Sequence, residues 1–179
     1  MECVAVRPRF VWGVGDTVLV PRFIRMMREG KWKWVDGGRW LTSTCHVQNL
    51  CEGLLLAALR GKPNQVYFLT DGPALPARQI VSDLVQANGC KAPGEEASVP
   101  FWLAFAGAFL LEQIYAIGRA CCCSRSYPEI TRQGIILFGR DISVSDAKAR
   151  RELGYTSHVS VQQGLQEMAE AHASQSKVA

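Results

Sequence analysis

The segment that decides the fold is Cys3-Val4-Ala5-Val6-Arg7-Pro8-Arg9-Phe10-Val11-Trp12-Gly13-Val14-Gly15-Asp16. Residues 3–6 are rich in β-branched side chains and too few for a helix, so they predict a buried strand. Pro8 ends it because proline has no amide hydrogen for a sheet. The glycines and Asp16 predict a loop, and a helix over 17–29 follows. Open α/β sheets bind ligands at such strand-to-loop exits, although an ordinary exit has the same pattern.

The composition indicates a folded chain with a sizeable core. Its 179 residues are 48% apolar and fit one domain. The net charge is +4 with Lys and Arg scattered, so no nucleic-acid partner is expected. Seven cysteines, including Cys121-Cys122-Cys123, favour reduced thiols and a cytoplasmic location over a secreted disulfide framework. The chain has no CxxC pair and no histidines at metal-ligand spacing, so no metal site is expected.

Periodicity predicts alternating helices and strands over the rest of the chain. Residues 32–35 and 40–44 predict a β-hairpin around Asp36-Gly37-Gly38. Its tryptophans, Trp32 and Trp34, are interpreted as core residues, and the alternative is that they line an apolar cavity. Helices are predicted over 47–60, 77–88, 145–153 and 160–171, and strands over 65–70 and 135–138.

Residues 99–111 form a run of thirteen residues without a polar or charged side chain. A bilayer span needs about 20 apolar residues, so a buried or interface helix is the preferred interpretation. The alternative is contact of residues 99–123 with a membrane surface of the endoplasmic reticulum type. The neighbouring Arg119 and Arg125 favour that alternative, and Cys121, Cys122 and Cys123 are candidate sites for an acyl chain.

Several motifs, in order along the chain, resemble those of extended short-chain dehydrogenases/reductases. They are Arg7-Pro8 with Val11-Trp12-Gly13 and Gly15-Asp16, then His46-Val47-Gln48-Asn49-Leu50, and then Tyr67-Phe68-Leu69-Thr70-Asp71-Gly72. Lys148-Ala149 with Glu152-Leu153-Gly154-Tyr155 is similar to the 3β-hydroxysteroid dehydrogenase/isomerase-like branch, which includes sterol-4α-carboxylate 3-dehydrogenases.

The resemblance implies an α/β fold: the C-terminal portion of an NAD(P)-binding Rossmann-type fold, with its last parallel strands, plus a mostly helical substrate-binding lobe. The boundary would lie between residues 1–92 and 93–179, which form one compact unit without a true linker. The implied activity interconverts an alcohol and a ketone on a sterol-like or other apolar substrate, with NAD or NADP bound by the complete protein.

The resemblance also implies binding residues. Those bordering the nicotinamide are Pro8, Arg9, Phe10 and Val11, and those at the substrate cleft or its supports are Trp12, Val20, His46 and Asn49. Arg9 stands where a small residue is common, so this long cation would block the nicotinamide or contact a substrate acid. For His46 a core histidine that donates to the backbone is the preferred interpretation. No catalytic residue is predicted.

Two motifs of the family are absent from these 179 residues: the GxxGxxG turn and the Tyr-x-x-x-Lys pair. They would lie upstream of Met1, so the chain alone is predicted to be inactive. One alternative is a catalytically inactive module that binds a lipid or a protein partner, and another is an incomplete gene product. A strand edge left exposed by the missing half predicts dimerisation or aggregation.

Overall fold

The computed structural model describes residues 2–122, 128 and 130–176, and these form the α/β structure that the sequence predicts. The described helices are α1 (Leu19–Arg28), α2 (Val47–Arg60), α3 (Ala77–Ala87), α4 (Phe101–Cys122), α5 (Arg132–Leu137), α6 (Ala147–Leu153) and α7 (Val161–Ser176). The described strands are β1 (Val4–Pro8), β2 (Val11–Trp12), β3 (Trp34–Val35), β4 (Leu41–Thr42), β5 (Cys45–His46), β6 (Gln65–Leu69), β7 (Leu75–Pro76) and β8 (Ser98–Val99).

The longest strand pair joins β1 to β6 in parallel, from Val4 opposite Gln65 to Pro8 opposite Leu69. Helices α2 and α6 pack on this pair and bury Leu69 completely. Gly53 permits the approach of α2, because a Cβ at that position would lie only 2.2 Å from Leu69 Cδ1. The predicted helix at 47–60 and a strand at 3–6 are confirmed. The predicted burial of that strand is wrong: Val4 and Val6 are only partly buried and Ala5 is exposed, because α2 and α6 cover only one face of the strand pair.

A second core lies between α1, α3 and α7. The buried face of α3 carries Ile80, Val81, Leu84 and Val85, all at most 1% exposed. That spacing places them on one side of a helix, which is the pattern that predicts residues 77–88 as helical. Phe23 of α1 and Met168 of α7 complete the same cluster.

The predicted β-hairpin over 32–35 and 40–44 is wrong. β3 pairs in parallel with β8, and β4 pairs antiparallel with β7. Between β3 and β4, Asp36, Gly37 and Gly38 all have positive φ, in a short 3-10 turn that directs the two strands to different partners. The β3–β8 pair crosses the boundary predicted at residues 92/93, which stays a prediction.

The predicted strand over 135–138 is also wrong, because these residues belong to the end of α5. Thr131 caps this helix: its Oγ1 accepts a hydrogen bond from the Gly134 amide at 3.1 Å. Four consecutive apolar residues carry no periodicity that separates a short strand from a short helix. The cap at Thr131 is the local signal that favours the helix.

Helix α4 is longer and more exposed than predicted. It continues through Glu112 and Gln113, and its part Phe101–Gly118 is long and apolar enough to cross a membrane, by length and composition alone. Only 6% of that part is buried within the structure. The interpretation as a buried core helix is therefore wrong. Large apolar side chains such as Trp102 and Leu110 remain exposed.

Candidate ligand-binding cavity

A half-open cavity of about 650 Å³ lies between helices α1, α4 and α5 and strand β3. This volume is in the range of small-molecule sites. The aromatic residues of the wall are Phe23, Trp32, Trp34, Trp40 and Phe138. Helix α4 contributes Leu103, Ala104, Gly107, Ala108 and Leu111, which share one face of that helix. The wall is therefore mostly apolar, and its parts come from distant positions in the sequence.

Ring-to-ring contacts hold the aromatic wall. Phe23 packs edge-to-face on Trp32 with centroids 5.1 Å apart, and Trp32 packs in the same way on Trp34 at 5.2 Å. Phe138 lies 5.9 Å from Phe23 and 6.2 Å from Trp40. Such edge-to-face pairs add to the stability that burial gives and fix the orientation of each ring.

Two indole N–H groups in this wall have no acceptor among the residues that the structure describes. Trp34 Nε1 donates to the carbonyl oxygen of Pro93 at 2.9 Å. By contrast, Trp32 Nε1 and Trp40 Nε1 are buried and have no hydrogen-bond partner among the described residues. An unpaired buried donor costs about 1–3 kcal/mol. Both N–H groups lie inside the wall, where solvent does not reach them.

Residues 8–11, predicted to border the nicotinamide, lie directly behind this wall. Pro8 ends β1, and Val11 pairs with Cys45 in the parallel β2–β5 pair. Phe10, with a φ of +46°, places its ring 6.2 Å from Phe23 and 6.4 Å from Phe138. The segment therefore contacts the cavity wall through Phe10, while its contact with a cofactor stays a prediction.

Arg9 is a half-buried cation next to the same wall. Its Nη2 donates to the carbonyl oxygen of Leu137, a residue that lines the cavity, at 3.3 Å. Its Nε is buried and has no partner among the described residues, and none of their carboxylates pairs with its guanidinium. Burial lowers the pKa of Arg9 because it disfavours the charged form.

A polar network centred on Asp71 joins β2 to β5 and α2. The Asp71 carboxylate accepts hydrogen bonds from Trp12 Nε1 (2.8 Å), Thr44 Oγ1 (2.8 Å), the His46 amide (2.6 Å) and Asn49 Nδ2 (2.7 Å). Asn49 also exchanges two hydrogen bonds with the backbone of Val159. These contacts connect β2, β5, α2 and the segment before α7.

His46 packs against Trp12, with ring centroids 4.9 Å apart. Its Nδ1 accepts a hydrogen bond from the Gln48 amide at 3.4 Å at the start of α2, and its Nε2 is buried without a partner among the described residues. The expected donation to the backbone is therefore wrong, because the hydrogen bond runs in the opposite direction. Burial lowers the pKa of His46, so the neutral ring is favoured.

The four predicted substrate residues are all buried, and none of them lines the cavity. Trp12, His46 and Asn49 belong to the Asp71 network, and Val20 lies in the second core beside Phe23. These four residues therefore pack in the protein interior next to the cavity wall. Their direct contact with a substrate stays a prediction.

Sequence reasoning missed the roles of Asp71 and Asp16. In the sequence, Asp71 is noted only as part of the Tyr67-Phe68-Leu69-Thr70-Asp71-Gly72 motif, and Asp16 only as a loop residue. The Asp16 carboxylate accepts hydrogen bonds from the amides of Val18, Leu19 and Val20 at 2.7–3.0 Å and caps α1. An aspartate two to three residues before an apolar periodic segment is the signal that was available for this cap.

Among the described residues, no group of three or more His, Cys, Asp or Glu side chains is placed to hold a metal ion. The described thiols of Cys3, Cys45, Cys51 and Cys90 are free. Cys121, Cys122 and Cys123, the candidate acylation sites, lie outside the residues whose side chains the structure describes.

Three curated proteins illustrate the similarity of the sequence. The chain is 46% identical to the 4-hydroxy-2-methyl-3-oxo-4-farnesyl-3,4-dihydroquinoline-1-oxide ketoreductase of Stigmatella aurantiaca, over 94% of this chain and 48% of that protein. It is 26% identical to the decarboxylating sterol-4-alpha-carboxylate 3-dehydrogenase of Dictyostelium discoideum, over 94% of this chain and 50% of that protein. It is 31% identical to short-chain dehydrogenase/reductase family 42E member 1 of Homo sapiens, over 84% of this chain and 39% of that protein.

Solved structures share the fold across nearly the whole chain. A crystal structure of gox2253 superposes with a TM-score of 0.63 at 23% identity, covering 97% of this chain and 49% of that one. The dTDP-glucose 4,6-dehydratase DesIV of Streptomyces venezuelae superposes at 0.61 with 18% identity, covering 97% and 44%. No family model matches the sequence. The chain spans about half the length of the relatives it matches.

Proposed function

The chain is homologous to the C-terminal half of extended short-chain dehydrogenases/reductases of the 3β-hydroxysteroid dehydrogenase-like branch, and we propose that it is the substrate-binding half of an NAD(P)-dependent oxidoreductase. The reaction interconverts an alcohol and a ketone on an apolar substrate. One observation carries the proposal: the cavity of about 650 Å³ has a mostly apolar wall with five aromatic side chains. An apolar ketone or alcohol would bury its own apolar surface against that wall.

Residues 8–11 would border the nicotinamide of NAD or NADP, which supplies the hydride when it is bound. The contact between Phe10 and the cavity wall supports this assignment, because hydride transfer needs the cofactor next to the substrate. The chain contains neither GxxGxxG nor Tyr-x-x-x-Lys. The proposal therefore gives these 179 residues the task of binding and orienting the substrate, and it assigns them no proton transfer.

The substrate class is proposed from the cavity and from the relatives together. The names of two relatives contain a farnesylated quinoline and a sterol carboxylate, which are both large and apolar. A cavity of about 650 Å³ accommodates much of such a molecule. A sterol-like or prenylated ketone or alcohol is therefore the proposed substrate.

Two glycines of α4 give a matched pair of variants that tests the cavity. Gly107 lies in the middle of the α4 residues that line the cavity, and a Cβ there would meet no atom within 4 Å. Gly118 has the same free space but does not line the cavity. In Gly107→Leu the new side chain would occupy ligand space. In Gly118→Leu it would leave that space unchanged.

Binding of 4-cholesten-3-one, followed by quenching of tryptophan fluorescence, is the measurement. Gly107→Leu is expected to weaken binding about tenfold or more, which is about 1.4 kcal/mol, and Gly118→Leu to leave it unchanged. Equal affinity in the two variants and the unsubstituted chain would remove the cavity as the substrate site. Thermal unfolding of both variants shows that each is folded.

The alternative function is a catalytically inactive module that binds a lipid or a protein partner. The absence of both family motifs from these 179 residues favours it. The two functions differ in one assay: oxidation of NADPH with an apolar ketone, measured after a polypeptide that carries GxxGxxG and Tyr-x-x-x-Lys is added to the chain. Turnover that needs both polypeptides would support the substrate-binding half. Ketone binding by the chain without turnover in the mixture would support the inactive module.

Contact with a membrane surface is a second part of the proposal. Four large apolar side chains of α4 are 54–69% exposed: Trp102, Leu110, Ile114 and Ile117. An exposed apolar helix of this kind binds at the lipid interface. A cytoplasmic protein held on a membrane of the endoplasmic reticulum type is the proposed location. The unsubstituted chain is expected to float with phosphatidylcholine vesicles, and the double variant Trp102→Glu with Leu110→Glu is expected to stay in the dense fraction. If the unsubstituted chain does not float either, membrane contact is contradicted.

Self-association is proposed through the β1 side of the chain. Among the described residues β1 pairs with β6 alone, so its second edge is unpaired. Nearby α2 exposes Leu54, Leu55 and Leu59. An open strand edge and an apolar helix face both favour a partner. Sedimentation velocity is expected to give a dimer that dissociates in Leu55→Glu, and a monomer over all concentrations would contradict this.

A further inference from the structure

The mouth of the cavity lies along one flank of α4. Leu103 and Leu111 line the cavity, yet they are 48% and 38% exposed. Gly107 lies about one helical turn from each of them, and it also lines the cavity and is exposed. Because these three residues follow one another at four-residue spacing, they form a single row along the helix. The cavity therefore opens to the outside along this row.

The exposed face of α4 beside this row is also apolar. Leu110, Ile114 and Ile117 are exposed, and none of them lines the cavity. Residues three apart on a helix are neighbours, so Leu110 adjoins Gly107 of the row. Ile114 adjoins Leu111 for the same reason. The lining of the cavity and the exposed face of α4 are therefore parts of one continuous apolar surface.

The part of α4 that borders the mouth is fixed to the rest of the protein at both ends. At its start the Phe101 amide donates to Asp36 Oδ1 at 2.9 Å. At its end Arg132 Nε donates to Glu112 Oε2 at 2.6 Å. Between these two contacts, no residue from 103 to 111 has a polar side chain. The mouth is therefore preformed, and the helix beside it is apolar throughout.

The charges at the mouth suit an anionic lipid surface. The charged residues that line the cavity are Arg22, Lys31 and Lys33, and they lie at its mouth because all three are exposed. No aspartate or glutamate is among the described lining residues, and the nearby Glu29 pairs with Lys31 at 2.7 Å. Basic residues near a bilayer attract its anionic headgroups. A bilayer on the exposed face of α4 would therefore also meet positive charge at the mouth.

We propose that the mouth faces a lipid bilayer and that an apolar ligand passes directly from the lipid into the cavity, along the row of Leu103, Gly107 and Leu111. The inference rests on the proposed function and adds the route by which its substrate arrives. A sterol-like molecule keeps its apolar surface covered both in lipid and in the cavity, whereas passage through water would expose that surface. A continuous apolar surface between the two environments removes this barrier.

Transfer of dehydroergosterol from the preloaded 179-residue chain to acceptor vesicles tests the route. The tryptophans excite this fluorescent sterol by energy transfer, so the decay of the transferred emission reports its departure. Direct passage requires a collision, and the rate is therefore expected to rise in proportion to the concentration of vesicles. Passage through water would give a rate that is set by dissociation and does not depend on vesicle concentration. Adding phosphatidylserine to phosphatidylcholine vesicles should raise the rate about fivefold at low salt.

Two double variants locate the surface that collides. Leu110→Glu with Ile117→Glu charges the exposed face of α4 without changing the cavity lining. It should lower the transfer rate about tenfold and leave the equilibrium affinity for dehydroergosterol unchanged. The matched control is Leu55→Glu with Leu59→Glu, because these leucines are exposed on α2 and do not line the cavity. The control should transfer the sterol as fast as the unsubstituted chain.

Three results with these variants bear on the inference. Slow transfer in the α2 variant and not in the α4 variant would assign the membrane face to α2 and overturn the inference. An unchanged rate in both variants, with circular dichroism melting showing that each is folded, would also overturn it. A second copy of the chain is the other candidate occupant of the α4 face. A dimer that dissociates only in the α4 variant, with transfer unchanged, would assign the face to self-association.

Two further outcomes separate this inference from the function on which it rests. If dehydroergosterol does not bind to the chain, the cavity fails as a sterol site and the proposed function fails with it. If the sterol binds but leaves at a rate that is independent of vesicle concentration, the cavity stands and only the route from the bilayer is refuted.

Discussion

Replacing Asp71 by alanine should cost more stability than any other single surface or loop substitution in this region. The carboxylate accepts four hydrogen bonds of 2.6–2.8 Å, from Trp12, Thr44, His46 and Asn49. All four donor residues are buried. Asn49 keeps a second acceptor in the Val159 carbonyl. Most of the lost free energy of unfolding therefore comes from the Trp12 indole and the His46 amide, which are left without an acceptor.

The magnitude follows from those orphaned donors. Each buried donor left without an acceptor costs about 1–3 kcal/mol, so two of them with a smaller loss at Thr44 give about 4 kcal/mol in Asp71→Ala. Asp71→Asn keeps one carbonyl acceptor and should cost about half as much. The assay is urea unfolding followed by far-UV circular dichroism. The slope of the free energy of unfolding against urea concentration should be the same in the variants and the unsubstituted chain if all expose the same surface on unfolding.

Asp83 provides the matched control, because burial raises the pKa of its carboxyl without a compensating partner among the described residues. Asp83→Asn removes an uncompensated charge and should leave stability unchanged or slightly higher. If Asp71→Ala costs less than about 1 kcal/mol, or no more than Asp83→Asn, the network does not hold β2, β5 and α2 together as argued.

Three further predictions concern packing, protonation and thiol reactivity. Gly164→Ala should cost about 2 kcal/mol in urea unfolding, because its Cβ would lie 2.7 Å from the Trp12 ring and 2.8 Å from His46; a neutral effect would contradict this contact. Because burial lowers the pKa of His46 below its ordinary value, stability is full above that value and is lost as pH falls toward the folded-state pKa. Its NMR titration midpoint should lie below that of a peptide histidine, and a higher midpoint would refute this. Burial raises the pKa of Cys45 to about 12, so iodoacetamide at pH 8 should alkylate the exposed Cys51 long before Cys45, as peptide mass spectrometry can establish; equal rates would count against the buried thiol.

Local signals predict the regular elements well. Residues 47–60 match α2, and the buried stripe of α3 follows from its apolar spacing. The α2 stripe that includes Leu54 and Leu55 predicts a helix correctly, yet those side chains are exposed, while Gly53 and Ala57 face the sheet. Periodicity therefore identifies a helix with more certainty than it identifies the face that a partial sheet will bury.

Strand pairing and the cavity depend on contacts that no local pattern contains. Trp34 and Val35 pair with Ser98 and Val99, more than sixty residues away, and not with the adjacent segment. The cavity wall likewise joins α1 to α4 and α5. The buried interpretation of α4 failed because apolar composition alone does not tell whether a helix packs inside the chain or faces outward.

The most direct test of the central claim is to locate an apolar ketone in the structure. A sterol ketone carrying a photoreactive diazirine is bound to the chain and irradiated, and the labelled peptides are identified by mass spectrometry. Adducts on residues 32–35 and 135–138, competed by 4-cholesten-3-one, are predicted because both segments line the cavity. Adducts confined to the exposed leucines of α2, or labelling that unlabelled ketone does not reduce, would contradict the cavity as the substrate site.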